Sequence, residues 1–282
     1  FPFASHVTSD RRLALELERA RLLGYTLIKT YTRMPVTRES VAIRAAHRLG
    51  LPVSSHEIYP AFALGGDRVE HLRGTSRLGW SSKQSDGLRM YGDAVQIVGA
   101  SGATIVPTLV VGGGFLDVLL RYPELDALPQ YAAFYSEADR RALRALAGLA
   151  GRKRALFDAG LANSRKAVRE LAAAGARIVA GTDAPIFPYG LSLVAELRAL
   201  KDAGLSGAAV LRSATADAAA AIGAADQLGR IAPGMLADLL IVAGDPLADP
   251  LELARVELVF SNGVAGPRAT LPTLPAVAAQ IP

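Results

Sequence analysis

Residues 178–185 combine a short apolar run, a glycine and a carboxylate, in the order Ile178-Val179-Ala180-Gly181-Thr182-Asp183-Ala184-Pro185. A short apolar run bounded by turn residues is typical of a buried strand. Proteins built as α/β barrels place their catalytic groups at the carboxyl ends of the strands. This stretch therefore predicts a buried strand that presents Asp183 at the edge of the sheet where such folds carry out chemistry.

Strand-like and helix-like patterns alternate through most of the chain. Five runs read as strands, at residues 26–31, 52–56, 69–72, 103–109 and 177–182. Helical patterns occupy residues 10–23, 37–49 (capped by Thr37), 86–100, 137–174 (broken around Gly148 and Gly151), 192–203, 206–214 and 215–222. This alternation predicts βα units around a parallel sheet. Because a closed barrel needs eight strands, we expect an α/β fold with an incomplete TIM-type (β/α)8 barrel over residues 1–225.

The pattern changes in the C-terminal part. Residues 228–231, 237–242 and 256–261 read as strands of a separate small sheet within residues 226–266, and Asn262-Gly263 reads as a tight turn. Residues 267–282 are rich in proline and alanine, and we expect a loosely held tail there.

Composition excludes several classes of function. The chain of 282 residues has a formal net charge of +5, but no basic block interleaved with aromatic residues, so we expect no nucleic-acid partner. It contains no cysteine, which excludes thiolate catalysis and disulfides. Its longest apolar stretch, residues 105–120, is interrupted by Pro107 and Asp117, so we expect no membrane insertion.

Two of the four histidines follow successive strand-like runs. His56 lies in Val53-Ser54-Ser55-His56 and His71 in Val69-Glu70-His71. A neutral imidazole at such a position is a good ligand for Zn²⁺. Two ordinary surface histidines are the competing interpretation.

Lys29 lies inside an apolar strand-like run, where burial of an unpaired ammonium is costly. Burial beside cations lowers the pKa of a lysine and frees its amine. A free amine can take up carbon dioxide as a carbamate, which is an anionic oxygen ligand that can bridge two metal ions. A lysine whose charged end extends to solvent is the alternative.

Asp183 can accept a proton from metal-bound water during attack on a carbonyl carbon. The alternative is a structural role as a helix N-cap, because Asp is favoured there and Pro185 often opens a helix.

The four motifs Leu27-Ile28-Lys29-Thr30-Tyr31, Ser54-Ser55-His56-Glu57, Val69-Glu70-His71-Leu72 and Ala180-Gly181-Thr182-Asp183 resemble the amidohydrolase superfamily, in particular its imidazolonepropionase- and prolidase-like members. The run at residues 228–246 resembles the family's C-terminal return to a small β-sandwich. In that family a His-x-His pair lies on the first barrel strand, a carboxylated lysine on the fourth, one histidine each on the fifth and sixth, and an aspartate on the eighth.

The resemblance implies that Lys29, His56, His71 and Asp183 hold one or two Zn²⁺ ions, or other divalent metals, and that Asp183 is the catalytic base. It implies hydrolysis of a C–N bond in a small molecule, of the cyclic amide, cyclic imide or dipeptide type. Tyr31, Arg33 and Tyr59 follow the ligands closely and are predicted to face the substrate.

The chain departs from the family pattern in one respect, since it contains no His-x-His sequence. It also begins with Phe1 rather than Met. We therefore expect a C-terminal part whose first barrel strands lie upstream in the same protein. Residues 54–60, 75–77 and 112–115 are similar to a subgroup often attached behind a periplasmic-type β-propeller, which favours a periplasmic or secreted enzyme by association. Assembly into an oligomer is left open.

Two other functions stay open at this stage. A non-catalytic barrel-like binding or scaffold module is favoured if nothing upstream supplies the missing ligands. A mononuclear deaminase of the same superfamily is disfavoured by Lys29 and by the position of Glu57.

Overall fold

The computed structural model describes residues 5–31, 34–56, 58, 60–72, 84–85, 89–90, 92–132 and 135–267. Its strands are β1 (Ile28–Thr30), β2 (Val53–Ser55), β3 (Arg68–Glu70), β4 (Gln84–Ser85), β5 (Arg89–Met90), β6 (Thr104–Val106), β7 (Arg177–Ile178), β8 (Leu239–Val242), β9 (Val256–Ser261) and β10 (Val264–Pro267). Its α-helices are α1 (Asp10–Leu22), α2 (Val36–Arg48), α3 (Gly92–Ala100), α4 (Phe115–Arg121), α5 (Pro129–Ala132), α6 (Glu137–Arg152), α7 (Arg154–Ala173), α8 (Leu191–Asp202), α9 (Gly207–Ser213) and α10 (Ala216–Ala221).

A five-stranded parallel sheet forms the centre of the fold, in the order β1-β2-β3-β6-β7. Val69 of β3 is opposite Ser55 of β2 on one side and Ile105 of β6 on the other, and Ile105 is opposite Ile178 of β7. The predicted α/β class and all five predicted strands of this sheet are confirmed. Because every strand runs in the same direction, all five carboxyl ends lie along one edge.

The helices cover this sheet with apolar side chains. Val69, Ile105 and Ile178 pack in one cluster with residues of α7 and α8 such as Leu171 and Leu200. A second cluster packs Val53 of β2 against α1 and α2, through residues that include Leu13, Leu17, Ile43 and Ala46. The strands are buried because helices follow them along the chain and return onto the sheet.

The C-terminal sheet is antiparallel and three-stranded, in the order β10-β9-β8. Asn262 and Gly263 connect β9 to β10 with φ angles of 48° and 80°, so both adopt the left-handed conformation that a two-residue hairpin turn requires. The predicted turn is confirmed. The predicted strand at residues 228–231 is wrong. Gly229 has φ +89°, and a Cβ there would lie 2.7 Å from the carbonyl oxygen of Thr215, so the chain bends closely past α10 instead of extending.

Several predicted boundaries also change. Helix α2 begins at Val36 after Pro35, so Thr37 is not its N-cap. The strand expected over residues 103–109 ends at Val106, because the chain turns at Thr108 into a π-helical turn, Val110–Gly114. The helical region 137–174 divides at Lys153, while both glycines remain inside α6. The predicted tail lies almost wholly outside the described residues.

Within the described part of the chain, no helix combines the length and the apolar character that crossing a bilayer requires.

One buried carboxylate generates a prediction on the pH dependence of stability. Glu196 of α8 is completely buried, and burial raises its pKa from 4.5 to about 8. Between those pH values the folded chain holds a proton that the unfolded chain has released. The free energy of unfolding should therefore fall as pH rises through this window, by up to ~1.4 kcal/mol per pH unit.

Urea denaturation at pH 5, 6, 7 and 8 measures this slope. The Glu196→Gln side chain has no titratable group, so this variant should show a flatter dependence of the unfolding free energy on pH. Glu170→Gln, at a more exposed position on α7, should show the wild-type slope. Parallel pH curves for the wild type and Glu196→Gln would contradict the prediction.

Candidate active site

Four sequence-predicted residues meet at the carboxyl edge of the parallel sheet. Lys29 lies in β1, His56 directly follows β2, and His71 directly follows β3. Asp183 lies in the loop after β7. The parallel order of the strands brings these four positions together, although 154 residues of sequence separate the first from the last.

The side chains are close enough to act on one another. The ring centroids of His56 and His71 are 4.5 Å apart, with the rings edge to face. His71 Nε2 lies 3.7 Å from Asp183 Oδ2. Lys29, His71 and Asp183 line a cavity of about 560 Å³, while His56 packs behind His71. The structure thus brings Lys29, His71 and Asp183 to one cavity and His56 into ring contact with His71, while their role as metal ligands stays a prediction.

Backbone strain is concentrated at this edge. His71, Thr108 and Asp183 have φ angles of 70°, 46° and 53°, which L-residues seldom adopt outside turns. Such conformations persist only where the surrounding structure holds them, and they cluster at functional sites. The alternative of Asp183 as a helix N-cap is wrong, since α8 begins at Leu191 after Gly190.

Both histidines have lowered pKa values, which favour their neutral forms at neutral pH. Burial, followed by the neighbouring His71 and Lys29, lowers the pKa of His56 to about 4. Burial is also the main cause that lowers the pKa of His71, although Asp183 and Glu70 oppose it. A neutral imidazole has a free lone pair, so both rings are ready to bind a metal at neutral pH.

Burial is the main cause that lowers the pKa of Lys29, and the carboxylates of Glu70 and Asp183 oppose that shift. Glu70 also accepts a hydrogen bond from Ser54 Oγ at 2.7 Å and pairs with Arg68 Nε at 2.7 Å. Sequence reasoning did not single out Glu70 or Arg68, both of which line the cavity. Their position on β3, immediately before His71, was the available signal.

The histidine nitrogens fit metal ligands. His56 Nδ1 is buried and has no hydrogen-bond partner among the described residues. His71 Nδ1 lies 2.7 Å from Thr108 Oγ1, which leaves Nε2 facing Asp183. In the described ranges, no group of three or more His, Cys, Asp or Glu side chains is arranged to hold a metal. Two histidines and one aspartate would therefore need further donors to hold a metal.

The predicted substrate residues have different outcomes. The ring of Tyr31 packs edge-on against His56, with 4.9 Å between centroids, so Tyr31 contacts a candidate ligand. Its contact with substrate stays a prediction. Arg33 and Tyr59 lie outside the described residues.

The fold and this site define an α/β protein with a lysine, two histidines and an aspartate at the carboxyl edge of its sheet. The sequence profile of the Amidohydrolase family matches residues 44–265, and the chain belongs to this family. No curated protein sequence shows significant similarity to the chain.

Solved structures share the fold. Bottromycin amidohydrolase is 25% identical, with a TM-score of 0.64 over 93% of this chain and 60% of its own. A putative prolidase from Bifidobacterium longum is 21% identical, with a TM-score of 0.62 over 93% of this chain and 61% of its own. Phenylurea hydrolase B is 19% identical, with a TM-score of 0.63 over 97% and 60%. The chain thus spans about 60% of the length of the structures it matches.

The close approach of β6 and the chain after β7 yields a prediction. A Cβ on Gly181 would lie 2.3 Å from Val106 Cγ1, so Gly181→Ala should push Asp183 away from the site and destabilise the fold by ~1–3 kcal/mol. Val106→Ala removes the obstructing methyl group. Combining the two substitutions should therefore cost less than the sum of the single changes.

Urea denaturation of the two single variants and the double variant measures this coupling. Gly148→Ala in α6 is the matched control, since the nearest atom to its added methyl is 4.0 Å away and alanine favours a helix by ~1 kcal/mol. Strictly additive free energies would show that the Val106 contact is not what requires glycine.

Proposed function

We propose that this chain carries most of the active site of a metal-dependent hydrolase that cleaves a C–N bond in a small cyclic amide, cyclic imide or dipeptide. The observation that carries the proposal is that Lys29, His71 and Asp183 line one cavity at the carboxyl edge of the sheet, with His56 in ring contact with His71. Membership of the Amidohydrolase family supports it, as does the fold shared with a prolidase and with phenylurea hydrolase B.

We infer further that the five parallel strands are an arc of a (β/α)8 barrel. The sheet order leaves β1 and β7 as its outer strands, and the missing strands would lie between them. The chain spans about 60% of the structures it matches, which supports a C-terminal part completed by an upstream part of the same protein. That part would supply the His-x-His pair and the other half of a small sandwich around β8, β9 and β10.

The ligand assignment follows from the free atoms of the site. His56 Nδ1, His71 Nε2, Asp183 and the carbamate of Lys29 would hold one or two divalent metals, and the imidazole and carboxylate donors suit Zn²⁺. Members of the Amidohydrolase family generally bind divalent metals. A bound metal would polarise the substrate carbonyl and lower the pKa of a coordinated water to about 7.

Asp183 moves the proton in this proposal. Its side chain is 39% exposed and lines the cavity, so Oδ2 can accept a proton from the attacking water and hand it to the leaving nitrogen. Val106, Val179 and Ile222 give the cavity an apolar wall, and Arg68 and Thr182 add polar groups. A cavity of about 560 Å³ is in the range that binds small molecules.

The competing function is a non-catalytic binding module built on the same fold. The metal content of the full-length protein separates the two, because a scaffold would bind no stoichiometric zinc.

Replacement of Lys29 tests the carbamate. Lys29→Ala in the full-length protein should remove most bound zinc and nearly all hydrolase activity, because the site loses its bridging anion. Lys166→Ala, which removes an exposed lysine of α7, is the matched control and should change neither. Elemental analysis and hydrolysis of proline dipeptides and cyclic imides give the two readouts.

Carbon dioxide dependence sharpens this test. Wild-type protein stripped of metal and carbon dioxide should regain zinc only when bicarbonate is added, and ¹³C-bicarbonate should give a carbamate resonance that Lys29→Ala lacks. Zinc and activity retained by Lys29→Ala would exclude the carbamate role.

Replacement of Asp183 tests the proton transfer. Asp183→Asn keeps the shape of the side chain but removes the base, so kcat should fall by ~10²-fold or more while circular dichroism stays unchanged. Asp93→Asn, at the exposed start of α3, should keep full activity. A normal kcat for Asp183→Asn would assign the proton transfer to another group.

A further inference from the structure

Thr108 is the most strained side-chain-bearing residue beside the site. It is a β-branched residue with φ 46°, a combination that is a genuine outlier. It is also buried, with 4% of its surface exposed. Its Oγ1 lies 2.7 Å from His71 Nδ1 and 2.8 Å from the carbonyl oxygen of Pro107.

These two contacts decide which ring nitrogen of His71 carries the proton. A hydroxyl has one hydrogen to donate, and a carbonyl oxygen can only accept. The Thr108 hydrogen therefore goes to Pro107, and Oγ1 must accept a hydrogen from His71 Nδ1. The neutral ring then has no hydrogen on Nε2, whose lone pair faces Asp183.

The distance on the other side of the ring agrees with this assignment. His71 Nε2 and Asp183 Oδ2 are 3.7 Å apart, which is too long for a hydrogen bond. A proton on Nε2 would be attracted to that carboxylate and would close the gap. Thr108 and Asp183 thus favour opposite tautomers, and the two distances agree with the tautomer that Thr108 favours.

Glu196 holds the backbone that carries Thr108. Its Oε1 accepts a hydrogen bond from the Leu109 amide at 3.0 Å, and its Oε2 accepts one from the Val110 amide at 2.9 Å. The carboxyl group of Glu196 reaches these amides from α8, 87 and 86 residues along the chain. Two bonds to successive amides fix the turn that begins at Thr108, which lets the strained conformation persist.

We propose that Thr108, held by Glu196, is a positioning residue that fixes His71 in the Nδ1–H tautomer and keeps Nε2 free as a metal-binding atom. The use of Nε2 rests on the proposed function, whereas the tautomer does not. A metal-binding histidine is oriented by the partner of its other nitrogen, and loss of that partner typically weakens metal binding 10–100-fold.

The first test reads the tautomer without metal. Full-length protein labelled with [¹⁵N]histidine and stripped of metal is studied by two-bond ¹H–¹⁵N correlation, with His71 assigned from the His71→Asn spectrum. Wild type should show a protonated Nδ1 and an unprotonated Nε2. Thr108→Val keeps the shape but removes the acceptor, and it should move the proton to Nε2.

Three further variants separate this role from general stability. Thr108→Ser restores the hydroxyl and should restore the wild-type tautomer. Thr104→Val makes the same chemical change in β6, four residues before Thr108 and away from His71, and should leave the tautomer unchanged. Glu196→Gln replaces one acceptor with an NH₂ donor and should give a mixture of tautomers.

The second readout is zinc affinity, measured by competition with a chelator. Thr108→Val should raise the zinc Kd about 10–100-fold, while Thr108→Ser and Thr104→Val should stay close to wild type. An Nε2–H tautomer in wild type, or an unchanged tautomer in Thr108→Val, would overturn the proposal. Should Thr108→Val not fold, the wild-type and Thr108→Ser spectra decide alone. Absence of zinc binding in every form, with the tautomers as stated, would reject the proposed function and leave the Thr108 assignment standing.

Discussion

The parallel pairing of β1, β2, β3, β6 and β7 is the constraint on which the site depends. Each of these strands contributes only two or three residues to the ladder, so a shift of one residue in any pairing would move a ligand to the opposite face of the sheet. The pairs Ser55–Val69 and Val69–Ile105 fix β3 from both sides, and His71 follows only two residues later. The candidate site residues are thus positioned by the backbone hydrogen bonds and apolar packing of the sheet, rather than by attraction among their own side chains.

Removing basic and acidic groups from water at the carboxyl edge of the sheet costs desolvation free energy, and polar neighbours offset part of that free energy. Desolvation lowers the pKa of Lys29 and of both histidines and so favours their neutral forms, although part of the Lys29 side chain remains exposed. Glu70 counteracts this at Lys29, and it is itself held by Ser54 and Arg68. Asp183 and Glu70 oppose the shift at His71, and Thr108 gives its Nδ1 a hydrogen-bond partner. His56 Nδ1 is buried and has no hydrogen-bond partner among the described residues. This is expected of a nitrogen that binds a metal ion.

The sequence predicts the strands and the four site residues because both depend on local patterns, apolar runs and the residue that follows each of them. It does not reveal Thr108 or Glu196, since their roles arise from contacts between segments 37 and 87 residues apart. A glutamate on the mostly apolar buried face of a helix, as in α8, is a signal that could have found Glu196. The prediction of a strand over residues 228–231 is wrong for a similar reason. A local sequence pattern does not reveal the close approach of Gly229 to the α10 backbone.

The carboxyl groups near the site differ in what surrounds them. Glu39 is 1% exposed and accepts hydrogen bonds from Thr30 Oγ1 at 2.8 Å and Ser55 Oγ at 3.0 Å, and these residues adjoin Lys29 and His56. Glu196 is fully buried and holds the turn after Thr108. Neither lines the cavity, so neither can exchange a proton with a substrate there. Glu70 also lines the cavity, but it is held by Ser54 and Arg68. Asp183 is open to the cavity and has no such backbone-holding role among the described contacts, which supports its proposed role as the base.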